Sequence, residues 1–111
     1  MRTLLKVTIP VEAGNARIMD GTLPRTMESI LSDLKPEASY FFANNGERSA
    51  LIVFDLKEPS QIPAIAEPFF IAFNAKVEFH PVMNLQDLQK ALSGIENAVK
   101  KYHTATAARA A

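Results

Sequence analysis

Between Arg48 and Met83 the chain runs RSALIVFDLKEPSQIPAIAEPFFIAFNAKVEFHPVM: a β-rich run, a helical segment punctuated by prolines, and a second β-rich run. That is about the length one strand–helix–strand unit needs, so the fold must contain such a unit. The second β-rich run also carries Glu78 and His80, two residues apart in an otherwise apolar stretch. Alternate strand residues share a face, so a carboxylate and an imidazole are aimed the same way.

The first half of the chain supplies a matching unit. Leu4 to Ile9 reads as a strand in which Leu5, Val7 and Ile9 alternate with Leu4, Lys6 and Thr8. One side is apolar and the other mixed, the pattern of a sheet with helices on a single face. Pro10 ends the strand because it has no N–H for the ladder. EAGNARIMDG reads as a short helical turn between breaks at Gly14-Asn15 and Asp20-Gly21. Thr22 to Leu34 is predicted as a helix, with Leu23, Met27, Ile30, Leu31 and Leu34 on one stripe and Pro24 tolerated in the first turn. Lys35-Pro36 stops it.

Ala38 to Ala43 and Ser49 to Leu56 are predicted strands around Asn44-Asn45-Gly46. An Asn-Gly pair between β-rich runs signals a tight hairpin, since both residues accept positive φ. The second of these strands is nearly all apolar and is expected to be central. Ser60 is expected to cap the next helix, and Pro68 to break or kink it near Glu67 before it restarts through Phe69, Phe70 and Phe73. Val77 to Met83 is the fourth strand. The order β-α-β-β-α-β predicts a ferredoxin-like α+β domain, a four-stranded antiparallel sheet with helices on one face.

A C-terminal helix over residues 85–103 completes a single domain of residues 1–103, and 104–111 (TATAARAA) is expected to be a disordered tail. Asn84 and Asp87 resemble a capping box. Leu85, Leu88, Leu92, Ile95, Val99 and Tyr102 recur at heptad spacing. Such a stripe lies on the chain's own core, on a partner, or in a coiled coil, which wants more heptads. Gly94 within it points to close packing or a bend.

Composition excludes several classes. The 111 residues carry twelve basic and twelve acidic side chains, which leaves no strong field for nucleic acid or anionic membrane. There is no cysteine, hence no disulfide or thiolate metal site. Lys6 interrupts the apolar start too early for a signal-peptide core, and no span of about 18 apolar residues suits a membrane helix. The expectation is a soluble cytoplasmic protein. His80 and His103 lie far apart without a second carboxylate at ligand spacing, so no metal is expected. Gly14-Asn15 lacks the further glycines and the Lys-Ser/Thr of a phosphate loop, so no nucleotide cofactor is expected.

A sheet covered on one face must bury the other, and a second copy is the common solution, giving a homodimer. In this fold the first and fourth strands are neighbours, which brings Lys6 and Thr8 toward Glu78, His80 and Val82. Three readings stand. The cluster is a salt bridge in a wet barrel or dimer contact, or His80 is a general base tuned by Lys6 or Glu78, or the strand is a solvated edge. A one-residue register shift separates the groups. Secondary ligand-binding candidates are Asn15 near the mouth of the sheet and Arg48 for a carboxylate. Tyr40 reads as core with its hydroxyl at the rim, Glu67 as a cap at the proline break, and Phe70 as core or pocket wall.

The VFDL strand end, the EPFFIAF helix and the KVEFHPVM strand, in the β-α-β-β-α-β order, resemble the dimeric α/β-barrel superfamily. Within it the VTIPVEAGN opening, PEASYF and AEPFF…AKVEFHPVM resemble a group of small uncharacterised bacterial proteins over roughly residues 3–90. The FDL-helix-PFF-KVEF portion is loosely similar to muconolactone isomerase-like proteins, and cofactor-free monooxygenases share the fold. The resemblance implies a dimeric barrel and a small, partly apolar ligand. It implies a cofactor-independent isomerase or monooxygenase; the alternative, in which the sheet and the heptad helix serve only assembly, is a non-catalytic interaction module. The resemblance matches no complete catalytic set.

Overall fold

The structure, a computed structural model, describes residues 1–103; the expected tail at 104–111 lies outside the described residues. Four strands, β1 (Arg2–Ile9), β2 (Ala38–Asn44), β3 (Glu47–Asp55) and β4 (Lys76–Pro81), form one sheet in the order β2-β3-β1-β4. All three pairings are antiparallel. Helices α1 (Val11–Met19), α2 (Thr22–Leu34) and α3 (Ile62–Phe73) belong to the domain body, and α4 (Leu85–Ala98) follows β4. This is the ferredoxin-like α+β architecture, with β3 and β1 central.

Alternation decides which face is buried. Thr3, Leu5, Val7 and Ile9 of β1 are buried, as are Ala50, Ile52 and Phe54 of β3, while their neighbours on the other face are not, apart from Ser49. Met27 of α2 and Phe69 and Phe73 of α3 close this core, and Phe54 meets Phe79 edge-on with ring centres 6.4 Å apart. Burying each large side chain contributes about 1.5–3 kcal/mol. The β2–β3 turn is the expected hairpin: Asn45 and Gly46 have φ of 53° and 78°, the left-handed values that match the twist of the strands.

Three local expectations are corrected. The segment after Pro10 is a nine-residue helix, not a short turn broken at Gly14. Gly14 sits inside it, donating its N–H to the Pro10 carbonyl at 2.9 Å. Arg48 runs close over it: a Cβ would stand 2.6 Å from Arg48 Nη1, a contact that the end of the long side chain could relieve by moving. Ser60 is not the cap of α3. A short 3₁₀ turn, Pro59–Gln61, precedes the helix and carries a reciprocal box of Glu58 and Gln61, while α3 itself has no side-chain cap. Gln61 Oε1 accepts from the amides of Lys57 and Glu58 at 3.0 and 3.1 Å. Pro68 does not divide α3, which is continuous from Ile62 to Phe73. Pro68 removes the hydrogen bond that the Ala64 carbonyl would receive, but both residues border a solvent-open cleft, where water can serve that carbonyl.

α4 begins with the expected capping box. Asn84 Oδ1 accepts from the Asp87 amide at 2.9 Å, and Asp87 Oδ2 from the Asn84 amide at 3.1 Å. Beyond Ala98 the chain continues as a π-helical turn, Val99–His103. The helix buries none of its residues on its own chain. That excludes the reading in which its stripe covers the domain's own core. Gly94 has open space around it rather than a close neighbour.

Candidate functional site

Three regions of the surface hold chemistry. The first is the open face of the sheet. Cα pairing places Lys6 opposite Glu78 and Leu4 opposite His80 across β1 and β4, so the three polar groups share this face. On the β3 side the same rows continue with Leu51 and Val53, and on β2 with Tyr40 and Ala38; Phe42 is on this face too, one pair further along, opposite Ser49. The face is thus divided, polar toward β4 and apolar toward β2. Lys6 forms no ion pair with Glu78, the cross-strand pairing expected from sequence. Glu78 turns along its own strand instead, with Oε1 3.7 Å from His80 Nε2. Both side chains are about half exposed (55% and 53%), so the contact is long, hydrated and adjustable.

Tyr40 is not a core residue. It is 65% exposed because its strand is an edge and its side chain stands on the uncovered face. One chain encloses no cavity over this face. The imidazole, carboxylate and ammonium can together take up, hold and return a proton, but a roof is needed to exclude water from them.

The second region is a cleft of about 370 Å³ at the hairpin end, bordered by Val11, Asn15, Phe42 and Arg48. It brings together two of the residues expected from sequence to bind a ligand, Asn15 and Arg48, which are 33 positions apart. Arg48 passes over Gly14 and has no ion-pair or hydrogen-bond partner among the described residues. The guanidinium stands beside an amide and two apolar side chains, but the Glu47 carboxylate borders the same cleft and works against a second carboxylate there. Phe42 lies on the open sheet face and also borders this cleft, so the two regions adjoin.

The third region is a cleft of about 710 Å³ between α2, α3 and the end of β3, with Ile30, Leu34, Phe54 and Ile65 as its apolar wall. Asp33, Lys57 and Gln61 rim it. No predicted site residue borders it. Each lining residue looked like ordinary core or helix surface in sequence; only the incomplete meeting of α2 and α3 makes the cleft. Asp55, also on its rim, has its carboxyl held below the usual carboxylate range, first by the hydrogen bond from the chain's amino group and then by that group's charge.

Glu67 and Phe70 border neither cleft. With α3 unbroken there are no orphan amides at residue 67 for Glu67 to cap, and it lies exposed. Phe70 is 43% exposed, while Phe69 and Phe73 on the neighbouring face of the same helix are buried. His103 is exposed in the last described turn. Among the described residues no three His, Asp or Glu side chains cluster for a metal, and no helix is long and apolar enough to cross a membrane.

The chain matches no protein-family model and no curated protein.

Proposed function

We propose that the protein is a cytoplasmic homodimer that binds a small, partly apolar molecule on the open face of its sheet, with a second copy as the roof. One observation carries this reading: the uncovered face joins an apolar half, Leu4, Leu51, Val53, Tyr40 and Phe42, to a polar half in which Lys6, Glu78 and His80 stand in register. An apolar face of this extent needs covering, and a second sheet stacked on it is one way to cover it. The apolar half would hold the body of the ligand and the polar half its functional group.

In the catalytic form of this proposal, neutral His80 takes a proton from a carbon beside a carbonyl, and the Lys6 ammonium steadies the negative charge that develops on oxygen. Return of the proton to another carbon gives an isomerase that needs no cofactor. In the monooxygenase form the carbanion reduces dioxygen and bonds to it as a peroxide; loss of the second C–H proton with cleavage of the O–O bond then leaves a carbonyl and water, so that the substrate CH2 supplies the electrons and both hydrogens. Asn15 and Arg48 stand on the helix side of the sheet, in the cleft at the hairpin end, and would form a separate subsite there. The cysteine-free composition suits a reducing compartment.

The rival reading is a non-catalytic assembly module. The half-exposed, long Glu78–His80 contact favours it, because a preorganised acid–base pair is normally held more tightly. A thermal-shift screen of aromatic acids and lactones separates the two. Ligands should raise the melting temperature of the wild type and do so less in His80→Ala and Lys6→Ala. Equal shifts in all three proteins, or none, defeat the binding proposal and leave the assembly module.

A further inference from the structure

α4 is an anomaly in this molecule. Leu85, Leu88, Leu92, Ile95 and Val99 form one stripe along it, and their exposures run from 41% to 68%. Ala91 and Ala98 adjoin the stripe, widening it to roughly three positions in seven. That is the width of a helix face built for a core rather than of a narrow coiled-coil seam. Among the described residues α4 packs chiefly on its own continuation, Val99–His103, and its tie to the domain body is at its first turn. The radius of gyration is 19.6 Å and the long axis 67 Å, against roughly 13 Å for the radius of a compact chain of this length.

The protrusion is built, not frayed. The reciprocal Asn84–Asp87 cap starts the helix, and the Val82 amide donates to the Arg2 carbonyl at 3.2 Å just before it. Arg2 Nη1 lies 3.7 Å from Asp87 Oδ2, while its Nε donates to Glu37 at 2.6 Å. Arg2 stands in the row of Leu4 and Lys6, so this contact ties the first turn of α4 to the open side of the sheet. A second copy that roofs the sheet must occupy that same side.

We propose that α4 is an exchanged arm: its Leu85–Val99 stripe is covered by the second copy of the chain that roofs the open sheet. The inference rests on the dimer reading above and extends it, making the roof two-part. At about 1.5 Å per residue the helix reaches some 21 Å from its cap, enough to run along the side of a neighbouring domain. A membrane surface is the less suitable occupant. Surface-bound helices carry lysine and arginine along the whole polar face, whereas from Leu85 to His103 Lys90, Lys100 and Lys101 stand against Asp87 and Glu96, and two of the three lysines gather at the far end.

The cysteine-free chain allows a clean test. A spin label on Asn97→Cys, on the polar side of α4, is mixed with isotope-labelled wild type, and mass is measured by light scattering. The expected result is a dimer in which amides of the labelled wild-type copy are broadened by the spin label on the other. Leu92→Glu/Ile95→Glu should keep the far-ultraviolet dichroism of the body and weaken dimerisation by about 100-fold or more. A dimer with no broadening between copies overturns the exchanged arm and leaves the sheet-to-sheet dimer standing. A monomer overturns both. Binding of wild type, but not of the double variant, to anionic vesicles overturns the arm in favour of a membrane.

Discussion

α2 and α4 are two amphipathic helices of similar length with opposite fates. α2 sets Met27 in the core and lays Leu23, Ile30, Leu31 and Leu34 against it. α4 presents a stripe as regular and buries nothing. An apolar stripe states that a helix has a face to bury; it does not state where. The loops decide that. α2 follows α1 after Asp20-Gly21 and returns to the sheet at Ala38, whereas α4 leaves from an edge strand and its described course never returns.

Truncating each stripe breaks or upholds this contrast most directly. Met27→Ala should cost about 2–5 kcal/mol of unfolding free energy, read by urea denaturation. Leu92→Ala should cost less than about 0.5 kcal/mol when both are measured at concentrations where the chain is monomeric. Equal losses mean that α4 folds back on its own domain in solution. A middle-sized effect comes from Asn84→Ala, which removes the cap that holds α4 as a helix. About 1 kcal/mol of helix stability should go, seen as lost ellipticity at 222 nm with the thermal midpoint of the body unchanged. A falling midpoint ties α4 to the body after all.

The smallest effect concerns the start of α2. Thr22 donates to Asp20 Oδ1 from its hydroxyl at 2.5 Å and from its amide at 3.0 Å, and these bonds hold the Asp20 carboxyl below its ordinary range. A lowered folded-state value means the carboxylate stabilises the fold above the ordinary carboxylate range. That contribution is lost as pH falls through the lowered value. Asp20→Asn should therefore be less stable than wild type near neutrality, and the gap should close on acidification. A gap that is constant with pH removes Asp20 as the source.

Much of the fold was legible because it rests on patterns with a strict period. The alternation of Leu5, Val7 and Ile9 fixed the buried face of β1, and Asn45-Gly46 fixed the hairpin and through it the β2–β3 register. The misreadings came from residues whose meaning depends on a distant neighbour. Gly14 looked like a break because Arg48, which runs close over it, lies on another element. Pro68 looked like a stop because the solvent access of the Ala64 carbonyl depends on α2. Tyr40 and Phe70 were read as core because aromatic residues favour burial, yet each stands where the covering layer ends. Of the candidate site, the shared face of Lys6, Glu78 and His80 followed from strand period. The turn of Glu78 toward His80 did not, since a half-exposed side chain chooses its partner by rotamer. The larger cleft had no sequence signal at all.

The register of β1 also has a consequence in time. β1 is a central strand, and both of its partners are made well after it: Arg2 pairs with Asp55 and Thr3 with Pro81. β2 and β3 are joined by a two-residue turn and can zip at once, and β1 can dock on β3 once Asp55 has been made, but its other edge stays open until Pro81. On the ribosome, then, β1 is satisfied on one edge well before the other. Agents that slow elongation between Asp55 and Pro81 should lengthen the interval in which a chaperone can hold the open edge of β1.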